Sequence, residues 1–136
     1  MFEKSSLRTR LSFYLAIKQL GGGTITLRSN ELHLGQGGES IADTAKILST
    51  YGDGFMLRTD SNKKIEKFEK HLSIPVINGL SPSSHPTQVL SDVFTVEEIK
   101  KKPISKLNIC WIGDSNNVLD SLIAASVKFS FKLHIG

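Results

Sequence analysis

The 136-residue chain has the length of one ordinary domain, and 39% hydrophobic with 22% charged residues is the balance of a folded globular protein, which argues against disorder. Seventeen basic against thirteen acidic side chains leave a formal charge of +4, an excess that suits an anionic metabolite without demanding nucleic acid. The lone Cys110 excludes an internal disulfide, no His/Cys ligand spacing points to a metal, and no apolar run reaches the roughly 20 residues of a membrane span. A cytoplasmic protein is expected, with no metal or cofactor and no nucleic-acid or membrane partner.

In chain order, Ser6 is placed to cap a helix in which Leu7, Leu11, Leu15, Ile17 and Leu20 recur near helical spacing and Gly21 is the stop. Thr24-Ile25-Thr26-Leu27 is rich in β-branched residues and predicts a strand, followed by a polar loop from Ser29 to Gly38. Ser40 caps a second predicted helix with Ile41, Ala45 and Leu48 on one face. A short buried strand, Gly54 to Arg58, precedes a surface helix from Asn62 to His71 with Ile65 and Phe68 inward. Ile74 to Ile77 is the next predicted strand, and Pro86 starts a helix through Val89, Leu90, Val93 and Phe94.

Lys100 to Ser105 reads as a solvated linker. After it come an apolar strand, Leu107 to Ile112, a turn at Gly113-Asp114-Ser115, a helix from Asn116 to Phe129, and the start of a strand from Phe131 to Ile135. Strands alternating with helices predict an α/β fold, a parallel sheet with helical crossovers whose sites lie beyond the carboxyl ends of the strands. The expected division is a sheet domain over 1–102 and the first βαβ of a second, Rossmann-like domain over 103–136. A motif that begins at Phe2 and a chain that stops in mid-unit suggest a fragment.

The residues that carry chemistry fall at such strand ends. Ser6 and Thr9 lie on a first helical turn, where unpaired N–H groups and the helix dipole favour an anion. Arg8 and Arg10 add the guanidinium geometry that grips phosphate oxygens through paired hydrogen bonds, although a capped basic helix explains the same residues equally well. His85-Pro86-Thr87-Gln88 brings an imidazole and a carboxamide to a helix start, a pair suited to a carbonyl oxygen as charge develops on it, but a surface histidine is the default for the tetrapeptide alone. Arg58 ends an apolar strand. Gly113 is not followed by the G-x-G-x-x-G spacing of dinucleotide sites, so Asn116 and Asn117 supply amide hydrogen bonds, to cap the helix or to a polar ligand. Glu39 and Asp43 read equally as a solvated face or an acid/base pair, and His33 in the polar loop is similarly ambiguous.

Taken in order, F-E-K-S-S-L-R-T-R from Phe2, G-E-S-I-A-D-T from Gly38, His85-Pro86-Thr87-Gln88 and W-I-G-D-S-N-N-V from Trp111 resemble the ornithine carbamoyltransferase family, within the aspartate/ornithine carbamoyltransferase superfamily. The resemblance covers nearly the whole chain. It implies a carbamoyl phosphate site at Ser6, Leu7, Arg8 and Thr9, joined by Arg58, His85 and Gln88, with Arg58 and His85 as the catalytic residues that polarise the carbonyl. It implies an ornithine contact at Asn117 and a neighbouring-subunit contact at His33, where the family commonly has glutamine, in a homotrimer. Leu7 departs from the family's threonine, whose hydroxyl meets the phosphate.

The implied reaction transfers the carbamoyl group of carbamoyl phosphate to the side-chain amine of L-ornithine, giving citrulline and phosphate in arginine metabolism. A truncated, inactive remnant that at most binds carbamoyl phosphate is the alternative. Aspartate carbamoyltransferase is the nearest rival. Gln36-Gly37-Gly38 where it carries a lysine, and Asn116-Asn117 where it carries an arginine, favour ornithine, leaving ornithine derivatives as further acceptors.

Overall fold

A computed structural model of the chain describes residues 1–4, 6–28 and 38–136. Those residues fold as two compact units, Met1–Gly79 and Leu80–Gly136.

In the first unit, α1 (Leu7–Gln19) is followed by α2 (Ile41–Tyr51), β1 (Phe55–Arg58), α3 (Asn62–His71) and β2 (Val76–Leu80). β1 and β2 are hydrogen-bonded neighbours, with α3 as the connection between them. Alternation along β1 sends Phe55 and Leu57 inward. There they meet Met1, Ala45 and Phe68 in one core, onto which Ile41, Leu48 and Ile65 pack, so the faces predicted for α2 and α3 are the faces buried. The rings of Phe55 and Phe68 lie 5.0 Å apart in a tilted arrangement.

The N-terminal residues extend this sheet. Phe2 forms parallel bridges to both Arg28 and Arg58, the Glu3 N–H donates to the Arg58 carbonyl at 3.0 Å, and the Arg58 N–H donates to the Met1 carbonyl at 3.0 Å. Where a strand is predicted at Thr24 to Leu27, the Phe2 N–H donates to the Leu27 carbonyl at 3.1 Å. That segment is irregular and Ile25 is 75% exposed, because β-branched residues form a strand only where a neighbour supplies a ladder and a surface to pack on. The third predicted strand of the unit is also displaced, from Ile74–Ile77 to Val76–Leu80.

The second unit contains α4 (Pro86–Lys100), a 3₁₀ turn (Ile104–Lys106), β3 (Asn108–Trp111), α5 (Asn117–Lys128) and β4 (Lys132–Ile135). β3 and β4 pair in parallel through the α5 crossover, Asn108 opposite Lys132 and Trp111 opposite Ile135, which is the βαβ arrangement expected. Gly113 opens the turn after β3 at φ +142°, a conformation that favours glycine. The core joins Val89 and Val93 of α4 to Ile104, Ala125 and Phe131.

The supposed linker from Lys100 to Ser105 is therefore structured. Lys101 ends α4 in the left-handed conformation at φ 52°, and the buried Ile104 donates its N–H to the Glu97 carboxylate at 2.7 Å. The fold class is α/β with helical crossovers, as predicted, but the described strands form two two-stranded sheets.

Candidate active site

In the first unit the site is assembled at the end of β1 and the start of α1. Ser6 takes an extended backbone as N-cap and its hydroxyl accepts the Thr9 N–H at 3.4 Å. The first turn of α1 contains no acidic residue, so the turn itself supplies no carboxylate to its dipole and remaining N–H groups. The edge bonds of Met1 and Glu3 fix the backbone of Arg58, and its Nη1 donates to Thr9 Oγ1 at 3.3 Å. Arg58 Nε is shielded from water and has no acceptor among the described residues. Burial lowers the pKa of this guanidinium from its ordinary value, since a charge removed from water is less favourable.

Glu3, the carboxylate nearest in sequence to the start of α1, is committed elsewhere. It accepts from Thr59 Oγ1 and from Lys64 Nζ, the latter at 2.5 Å. Thr9 and Arg58 are thus brought together at a cationic helix start, with Leu7 and Arg8 exposed on the same turn. What this arrangement can do chemically is receive a phosphate-like anion. Glu3, Thr59 and Lys64 were not singled out as site residues, and the glutamate in F-E-K was the only local signal for them.

In the second unit His85 occupies the N-cap position of α4, ahead of Pro86. Its N–H donates to Ser121 Oγ at 2.7 Å, and Nδ1 of its ring lies 3.4 Å from Thr87 Oγ1. Gln88 is exposed and its Nε2 donates to Asp92 Oδ1 at 2.9 Å, which commits the amide nitrogen and leaves the amide oxygen as the group's acceptor. Asn116 caps α5, accepting from the N–H groups of Val118 and Leu119 at 2.9 and 3.2 Å. Asn117 donates through Nδ2 to the Ser81 carbonyl at 3.0 Å, so its side chain ties α5 to the loop before His85.

Glu39 and Asp43 serve α2. Thr44 Oγ1 donates to Glu39 at 3.1 Å, and Ser40 Oγ donates to Asp43 at 2.7 Å while accepting its N–H. His33, with Gln36 and Gly37, lies outside the described residues. Among the described residues no helix is long and apolar enough to cross a membrane.

Residues 1–98 match the family described as aspartate/ornithine carbamoyltransferase, carbamoyl-P binding domain. The chain is 46% identical over 135 residues to an ornithine carbamoyltransferase of Mesorhizobium japonicum, covering 99% of this chain and 44% of that protein. A relative of the same name from Rhizobium meliloti is 44% identical, with the same shares covered. Among solved structures, ornithine carbamoyltransferase from Burkholderia thailandensis superposes with a TM-score of 0.89 at 42% identity, over 98% of this chain and 46% of that one. That from Pyrococcus furiosus gives 0.90 at 42%, over 99% and 42%. The chain therefore spans less than half the length of these relatives. It belongs to the aspartate/ornithine carbamoyltransferase family.

Proposed function

We propose that the chain represents the carbamoyl phosphate part, residues 1–102, and the opening of the ornithine part, residues 103–136, of an ornithine carbamoyltransferase. The observation that carries this reading is the cationic start of α1, where Arg58 holds Thr9 while its buried Nε has no acceptor among the described residues. A buried donor without a partner costs about 1–3 kcal/mol, and a phosphate oxygen removes that cost. Ser6, Leu7, Arg8 and Thr9 hold the phosphate through backbone N–H groups, hydroxyls and a guanidinium. Gln88, its Nε2 engaged by Asp92, accepts from the carbamoyl amine, and His85 with Arg58 donates to the carbonyl oxygen.

In the reaction the side-chain amine of ornithine, held at its amino-acid end by Asn117, attacks the carbonyl carbon. The new C–N bond forms, the C–O bond to phosphate breaks, and the proton lost by the amine passes to the phosphate as it departs from the helix start. The protein contributes position and charge stabilisation, with no covalent step of its own and no cofactor. A homotrimer in the cytoplasm, with His33 reaching the neighbouring subunit's site, completes the proposal for the whole enzyme.

Calorimetry of the 136-residue chain with carbamoyl phosphate tests the reading. Binding is expected, and Arg8→Ala is expected to abolish it; unchanged affinity in that variant overturns the site. The second reading, a chain that binds carbamoyl phosphate without turnover, is favoured by its spanning 44% of a 46% identical relative. A citrulline assay on the same material separates the two. No citrulline is expected from this chain alone.

A further inference from the structure

We propose that Ser121 is a positioning residue for His85, acting with Asn117 to hang the Ser81–His85 loop on one face of α5; the inference rests on the assignment of His85 to the carbamoyl group. His85 makes no side-chain cap hydrogen bond to α4, and Pro86 has no N–H to anchor the turn. The backbone that carries the imidazole is held from α5 instead. Ser121, 8% exposed, donates its hydroxyl proton to the Asn117 carbonyl one turn earlier at 2.9 Å. With that proton committed, the oxygen is left as an acceptor, and the His85 N–H donates to it at 2.7 Å.

The other end of the loop is fixed in the same way. Asn117 Nδ2 donates to the Ser81 carbonyl at 3.0 Å, and the Ser81 N–H closes a turn onto the Ser84 carbonyl at 2.8 Å. Asn117 and Ser121 are four apart and share a helix face, so one rigid element sets both ends of a short loop. That pair of bonds holds the backbone that carries the imidazole, whose Nδ1 lies beside Thr87 Oγ1. A displacement of about 1 Å at such a residue is enough to lose much of its contribution to a bound carbonyl.

The test is a cycle on the 136-residue chain, read as affinity for carbamoyl phosphate and for inorganic phosphate. Ser121→Ala is expected to weaken carbamoyl phosphate about tenfold, to leave inorganic phosphate unchanged, and to add nothing to the loss already caused by His85→Ala. Ser121→Thr, which keeps the hydroxyl, restores the affinity. Should the alanine variant not fold, Ser121→Cys keeps the volume with a poor acceptor and is expected to show the same loss. Parental carbamoyl phosphate affinity in a folded Ser121→Ala or Ser121→Cys chain, or losses that simply add to those of His85→Ala, overturns the proposal. If the parent chain binds no carbamoyl phosphate, the functional reading fails. Ser121 is then judged on the His85 amide, whose hydrogen exchange is expected to accelerate about tenfold in Ser121→Ala or Ser121→Cys, and unchanged exchange overturns the positioning role.

Discussion

Helices α1 and α5 each begin at residues assigned to substrate, and they are built in opposite ways. α5 is satisfied from within: Asn116 accepts two N–H groups, Asp120 stands in the first turn, and Leu119, Ser121 and Ala125 are buried. α1 has a single longer cap bond from Ser6, no acid in its first turn and no buried residue along its length. An N-terminus that already holds a carboxylate and a double cap has little left to offer an anion, whereas one flanked by guanidinium groups and without either is stabilised by receiving one. The contrast separates a helix that builds the fold from a helix whose first turn is open to the ligand proposed for it.

The contrast is broken most directly through packing. Leu119→Ala, at a site 5% exposed, is expected to destabilise the second unit by about 3 kcal/mol, whereas Leu11→Ala in α1 changes stability by less than about 0.5 kcal/mol. Thermal or urea unfolding of both variants measures this, and comparable losses would erase the distinction. Ligand binding is expected to invert the ranking. Arg58→Ala removes the group that holds Thr9 and is expected to weaken carbamoyl phosphate on the order of 100-fold, while Leu119→Ala, where folded, leaves the affinity of the first unit for inorganic phosphate intact. At the caps, Asn116→Ala is expected to cost about 1–2 kcal/mol and Ser6→Ala about 0.5 kcal/mol, since one serves two donors and the other serves one at 3.4 Å.

These local features are also the ones that could be read in advance. The α3 bounds, the caps at Ser6 and Ser40, and the turn at Gly113 follow from nearest-neighbour chemistry, and each stands where its residues placed it, while Asn116, open between a cap and a ligand contact, caps α5. Thr24 to Leu27 was misread because strand formation depends on a partner that β-branched residues cannot announce. Ile104 was assigned to a linker because a lysine run hides a single anchor, and the anchor needs Glu97 on the preceding helix. At the candidate site, Ser6, Thr9 and Arg58, which the order of the motifs singles out, lie in hydrogen-bond contact. The bonds that organise the site were not legible. Glu3 meets Lys64 across 61 positions, and His85 meets Ser121 across 36, separations at which local pattern carries no information.

Leu7 is where α1 departs from its own logic, and it allows the finest test of the comparison. It sits at the first helical position, 64% exposed, where the side chain lies largely in solvent and the backbone N–H is one of the orphan donors. The two hydroxyls nearby are partly engaged, Ser6 by the Thr9 N–H and Thr9 by Arg58. Leu7→Thr therefore introduces the one hydroxyl of the turn with no internal claim on it. A new hydrogen bond of about 1 kcal/mol corresponds to roughly fivefold tighter binding of carbamoyl phosphate. The weaker helix propensity of threonine costs up to about 0.5 kcal/mol and falls on the folding equilibrium of α1 rather than on the bound anion. The expected signature is thus a gain in affinity by calorimetry with a slightly lowered melting temperature, and the same substitution at the start of α5, Asn117→Thr, gives no such gain. A Leu7→Thr chain that binds carbamoyl phosphate no more tightly than the parent would place the phosphate away from this turn, and α1 would then be an exposed helix with a basic start and nothing more.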